Sequence, residues 1–188
     1  MVERGLINFL CNFVVHILNK ETKQKMNTII DLFERSCKKF PDNAYLWEKR
    51  NGQYTSTTYS QVKEQVLNVA GGLMAAGINK NDRIALLSEG CNDWVYSELG
   101  MLYAGGINVP LSIKLTEKEL IFRITHSDAR FIIVSEHYIE QIRNIEAEVP
   151  SVEKIFVIGD RFIEEGKYKS FDTLKKEGHG WREKHGEA

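Results

Sequence analysis

Short runs of uninterrupted apolar residues punctuate the middle of the chain at a fixed interval. Arg83 to Leu87, Ile107 to Leu111, Phe131 to Val134 and Ile155 to Ile158 begin 24 residues apart. That interval fits a strand, a helix and two short loops. Runs that are apolar at every position, rather than alternating, suit a parallel sheet covered on both faces. The pattern predicts an α/β fold: a mostly parallel sheet of β-α-β units covered by helices.

Helical periodicity fills the gaps between these runs. Thr58-x-x-Gln61 is a capping box, and Val62, Val66, Val69, Ala70 and Leu73 form the buried stripe of the helix it opens, closed at Gly77. A helix from Asn92 or Asp93 is expected to bury Val95, Leu99 and Leu102, with Trp94 partly or wholly covered. Thr116-x-x-Glu119 is a second capping box, with Leu120 and Ile124 inward. Ser135 caps a further helix that turns Ile139, Ile142 and Val149 inward. Upstream, Ile29, Ile30, Phe33 and Cys37 share one helical face before Pro41. Tyr45–Glu48 and Tyr54–Thr57 flank Arg50-Asn51-Gly52, and Asn-Gly between strand-like runs predicts a small N-terminal hairpin.

Several of these segments resemble the adenylate-forming superfamily of acyl-CoA synthetases, peptide-synthetase adenylation domains and firefly luciferases. Phe40-Pro41-Asp42 with Ala44 is similar to the family opening "FPDxxA", and Thr58-Tyr59-Ser60-Gln61-Val62 stands in the place of its first core motif. Gly72-Leu73 through Gly77-Ile78 and Asn81 to Ala85 resemble "GLxxxGVxxGDRVA", with Asn81 in place of a glycine. Ala104 to Leu111 resembles "AGAxxVPL", and Ile124 to Arg130 resembles "ILxDSGAR". Ser88-Glu89, Trp94 and Asn108 to Ser112 look most like the long-chain fatty acid:CoA ligases, although Gly90-Cys91-Asn92-Asp93 replaces the usual "NRPE".

The resemblance implies the N-terminal subdomain of the adenylate-forming fold. The family's Ser/Thr/Gly-rich phosphate loop, adenine-contacting aromatic motif, ribose-binding Asp and mobile Lys all lie downstream of this region. No such loop occurs before Ala188. The expected organisation is an apolar extension over 1–25, the α/β subdomain over 26–160, and a charged linker over 161–188 leading toward the missing phosphate loop. That last stretch, rich in lysine, glutamate and glycine, reads as a loop, a short helix and a frayed tail.

Composition narrows the classes. With 188 residues, 43% of them hydrophobic, the chain can bury a core. A formal net charge of -1 with interspersed signs argues against nucleic acid as a partner. Cys11, Cys37 and Cys91 are odd in number and far apart, as expected of reduced thiols in a cytoplasmic protein. Leu6 to Leu18 is apolar apart from Asn8, Asn12 and His16, too short for the roughly 20 residues that span a bilayer. It reads as an amphipathic helix packed on the body, or as sequence upstream of a true start at Met26. A peripheral anchor at the inner membrane surface is the alternative.

Few residues offer chemistry of their own. Gly159 to Lys167 ends in Gly-Lys, but six residues separate Gly159 from Gly166 and Tyr168 occupies the Ser/Thr place, so it reads as a loop. None of the histidines, His16, His126, His137, His179 and His185, pairs at a metal-ligand spacing. Gly105-Gly106 reads as a helix C-cap with close packing on the sheet. No catalytic or metal-binding residue is expected in this segment.

By resemblance, Ser112 and Arg143 would lie at the rim that faces the CoA nucleotide. The whole enzyme would use ATP, Mg and CoA on a fatty acid. This segment would bind no cofactor, would lack activity, and would self-associate through an apolar face left uncovered. The rival expectations are a non-catalytic α/β interaction module and an adenylation domain for another carboxylate such as an amino acid.

Overall fold

The computed structural model describes residues 27–50, 52–160 and 162–186. Its elements run α1 (Ile29–Lys39), β1 (Ala44–Arg50), β2 (Gln53–Thr58), α2 (Tyr59–Ala75), β3 (Arg83–Leu87), α3 (Asn92–Tyr103), β4 (Ile107–Leu111) and α4 (Glu117–Ser127). β5 (Ala129–Ser135), α5 (Ile139–Ile145), β6 (Lys154–Ile158), β7 (Tyr168–Ser170) and α6 (Phe171–His185) complete it. The chain divides into two compact units, 1–35 and 36–188. Of the first, the described part opens α1, where Thr28 Oγ1 accepts from the Asp31 amide and Asp31 Oδ2 accepts from the Thr28 amide, each at 3.0 Å. The apolar Leu6–Leu18 segment lies outside the described residues.

Within the second unit, β1 and β2 pair antiparallel around Gly52, whose φ of 81° is the left-handed turn that Asn-Gly implied. The other five strands form the expected parallel sheet, in the order β4-β3-β5-β6-β7. Leu120 and Ile124 of α4 and Ile139, Ile142 and Ile145 of α5 cover one face, against Ala85, Leu87, Ile132, Val134, Ile155 and Val157. On the other face α2 packs against both α3 and α6. The crossovers leaving β3 and β4 therefore run over opposite faces, which puts the topological switch between β3 and its neighbours.

Both capping boxes form: Gln61 Oε1 accepts from the Thr58 amide at 2.9 Å and Glu119 Oε2 from the Thr116 amide at 2.8 Å. Gly77 and Gly105, at φ 90° and 77°, end α2 and α3 in matching Schellman turns. In these, Ile78 donates to the Leu73 carbonyl at 3.0 Å and Gly106 to the Met101 carbonyl at 2.8 Å. Asn81, standing where the family has glycine, holds φ at 71°, a conformation that glycine adopts freely and asparagine tolerates best of the rest.

Two family motifs acquire structural reasons. The Arg130 guanidinium grips both Glu153 oxygens, at 3.0 and 2.8 Å, and bonds Asp82, fastening the starts of β3, β5 and β6 together. The fork, led by Glu153, raises the guanidinium's already high pKa. Because the Ile107 amide points to β3, donating to the Asp82 carbonyl at 2.8 Å, alternation turns Pro110 outward onto the open edge of β4. A residue without an N–H belongs there.

Two expectations change. The stripe of α3 is rotated: Tyr96, Ser97, Leu99, Gly100 and Met101 are buried, while Val95 and Leu102 are only half-buried; Trp94 is half-buried, as expected. Close approach decides this, since a Cβ at Gly100 would stand 2.5 Å from Val69 Cγ1. Residues 161–188, read as loop, short helix and frayed tail, instead give the edge strand β7 and the 15-residue helix α6. A Cβ at Gly178 would meet the Asn68 carbonyl at 1.7 Å, and one at Gly72 the Leu174 carbonyl at 2.2 Å. α2 and α6 thus touch backbone to backbone. Arg182 adds bonds to Asn68 Oδ1 at 2.6 Å and Glu64 Oε1 at 2.9 Å.

Candidate functional site

In a parallel α/β sheet, ligands gather at the carboxyl ends of the strands around the switch. Here register puts a row of serines at that edge. Leu87 pairs with Leu111 on one side and with Val134 on the other, so the next residues, Ser88, Ser112 and Ser135, fall side by side across β4-β3-β5. Ser88 and Ser135 are buried and Ser112 is exposed. Ser88 Oγ donates to the Glu89 carbonyl at 2.9 Å and contacts Cys91 Sγ at 3.8 Å.

Glu89 closes the shelf. Its Oε1 accepts from Ser135 Oγ at 3.1 Å and lies 2.9 Å from His137 Nδ1, while Oε2 is buried without a hydrogen-bond partner among the described residues. Burial pushes this carboxyl up, but its own backbone amide and the Ser135 and His137 donors outweigh that and hold it below the usual glutamate value. The group is an ionised acceptor at neutral pH. Beside it, Gly159 at the end of β6 lies under Glu136, whose carboxylate a Cβ would strike at 2.2 Å.

Ser112, expected at the CoA-facing rim, sits at the end of β4, where its Oγ accepts from the Lys114 amide at 3.3 Å. Arg143 lies on α5 with its side chain 38% exposed. It pairs with Glu140 at 2.9 Å and Glu165 at 3.9 Å, and its guanidinium stands 5.6 Å from the Tyr168 ring centroid. Tyr168 in turn donates to Glu146 Oε2 at 2.5 Å, and burial together with that carboxylate raises its phenol. Both rim residues are on the surface, but Arg143 is already engaged by carboxylates.

The Gly159–Lys167 stretch behaves as a loop. Glu165 and Tyr168 exchange hydrogen bonds at 3.2 and 2.9 Å around Gly166, and this turn feeds a strand instead of a helix N-terminus. No group of three His, Cys, Asp or Glu side chains able to hold a metal occurs among the described residues. The Glu89–Ser135–His137 cluster was missed from the sequence because 46 and 48 residues separate its members. Only the register of β3 against β5 joins them.

Comparison with known proteins decides the family. A model of the AMP-binding enzyme family matches residues 33–184. The chain belongs to that family. It is 31% identical over 116 residues to 4-hydroxybutyrate–CoA ligase 2 of Metallosphaera sedula, covering 62% of this chain and 20% of the relative. It is 24% identical over 152 residues to the human mitochondrial acyl-coenzyme A synthetase ACSM2A, covering 76% of this chain and 26% of the relative. Long chain acyl-CoA synthetase 1 of Arabidopsis thaliana is 29% identical over 117 residues, covering 60% and 18%.

Among solved structures, the anthranilate CoA ligase AuaEII, in complex with anthranoyl-AMP, superposes with a TM-score of 0.71 at 26% identity, covering 78% of this chain and 27% of that one. Coronafacic acid ligase of Pectobacterium brasiliense gives 0.69 at 24%, covering 77% and 28%, and shows the shared fold. The chain thus spans 18% to 26% of the length of these curated relatives. No helix among the described residues is long and apolar enough to cross a membrane.

Proposed function

We propose that this chain is the N-terminal part of an ATP-dependent acyl-CoA ligase, with a fatty acid as the carboxylate. The reaction would join the carboxylate to the α-phosphate of ATP with loss of pyrophosphate. The CoA thiol would then take the acyl group and release AMP. The observation that carries this reading is the family match over residues 33–184, whose relatives are named as CoA ligases. The resemblance of Ser88-Glu89, Trp94 and Asn108 to Ser112 to the long-chain enzymes supports the fatty acid.

In this reading the chain supplies the sheet wall and a nucleotide-facing rim. Mg and ATP would be held by sequence outside it, and Mg would neutralise charge on the departing pyrophosphate. At the rim, Ser112 offers an exposed hydroxyl and Arg143 a charge suited to a phosphate, once Glu140 and Glu165 release it.

The test is ATP–pyrophosphate exchange by the polypeptide extended to the length of its relatives, offered acetate, palmitate and the amino acids in turn. Exchange is expected with palmitate, and none is expected from the 188-residue chain alone. Exchange with an amino acid only would replace the fatty acid reading. Exchange with no acid would favour a non-catalytic module.

A further inference from the structure

The free edge of β2 stands unguarded in a chain that protects its other strand edges. β4 carries Pro110 outward, β7 is three residues long and includes Lys169, and β1 carries Glu48 and Lys49. Short strands, prolines and charges are the devices that keep an edge from pairing with another chain. β2, Gln53-Tyr54-Thr55-Ser56-Thr57-Thr58, is six residues long and has no charge, proline or glycine. Its first four residues are exposed, and its threonines and tyrosine favour extended backbone. With β1 it forms a sheet of two strands only among the described residues.

Register fixes which groups that edge offers. β1 and β2 meet across a two-residue loop, so the closing pair Arg50 and Gln53 exchanges hydrogen bonds. Alternation along an antiparallel ladder then turns the N–H and C=O groups of Tyr54 and Ser56 away from β1. Among the described residues nothing bonds these groups.

We propose that β2 pairs antiparallel with β2 of a second copy of this chain, about a two-fold axis between Thr55 and the second copy's Thr55. Tyr54 then lies opposite the second copy's Ser56, and Ser56 opposite its Tyr54. Each of these pairs exchanges two backbone hydrogen bonds, while the two Thr55 side chains meet as a cross-strand threonine pair. The ladder stops there, because the next amide along the edge, that of Thr58, already donates to Gln61 Oε1 at 2.9 Å.

Charge and shape select this occupant. In that register Glu48 and its copy stand three strand spacings apart, about 14 Å, beyond the Debye length of about 8 Å in physiological salt. On the outer face Trp47 lies across from Ser56, and the second copy's Tyr54 lies on the other side of that small residue. Aromatic rings exposed in one copy thus cover each other in two. The outermost strands become β1 and its copy, whose charges oppose further addition, so the pairing closes at a dimer. The shared edge is short, and the dimer forms only at high protein concentration.

The test uses the 188-residue chain in sedimentation velocity over a wide concentration range, with amide hydrogen exchange alongside. The wild type is expected to dimerise, and the Tyr54 and Ser56 amides to exchange more slowly as concentration rises. Ser56→Pro removes one outward N–H from each copy and should weaken the dimer about tenfold or more. Thr55→Lys alone and Thr55→Glu alone each set like charges face to face across the axis and should weaken it about fivefold, the scale of a cross-strand pair. Mixed together, these two variants should recover the dimer as a heterodimer, which a merely misfolded variant would not do. A wild-type chain that stays monomeric, or a Thr55→Lys chain that dimerises like the wild type, would overturn the proposal. So would a mixture of the two variants that associates no better than either alone.

Discussion

At Asn81 the backbone holds a left-handed conformation that most side chains resist, because Cβ crowds the following carbonyl. Asn81→Gly should therefore be nearly neutral, and Asn81→Val should cost about 1–2 kcal/mol in a urea melt. Equal stability of the two variants would mean that the turn relaxes. From the sequence Asn81 stood out only as a replacement for the family's glycine, and the left-handed backbone behind it is seen in the structure. The Glu89–Ser135–His137 cluster was not legible either, since no local pattern marks a carboxylate whose partners lie 46 and 48 residues away.

Among the elements, α6 departs most from the sequence reading, and its composition explains why. Lys175, Lys176, Glu177, Arg182, Glu183 and Lys184 dominate it, and Gly178 and Gly180 look like breakers. What binds it to the body is Phe171, Leu174 and Gly178, the last allowing α2 within reach of its backbone. By contrast, β3 to β6, both capping boxes and the hairpin follow directly from apolar runs and cap residues, because their determinants are local. Gly178→Val should cost about 3 kcal/mol or more, as overpacking against backbone has no soft neighbour to move. A chemical denaturation midpoint unchanged from wild type would mean that α6 is detached in solution.

For the whole molecule, the sheet is covered on both faces, yet apolar side chains remain outside. Trp47 is 63% exposed, Tyr54 70%, Phe122 66% and Ile163 85%. The uncovered sheet face expected from the sequence is therefore absent among the described residues, and self-association now rests on these scattered side chains and the free β2 edge; it is expected as light-scattering oligomers that bind an apolar dye. A dye-silent monomer by light scattering would contradict that.

The central claim is that these residues are the N-terminal wall of a ligase whose phosphate-handling groups lie in later sequence. Sequencing the natural reading frame past codon 188 tests it most directly. The frame is expected to continue into a Thr-Ser-Gly-Thr-Thr-Gly-like loop, whose successive backbone N–H groups can cradle the phosphates of ATP. A natural stop codon after Ala188, with no such loop in an adjacent frame, would contradict the account.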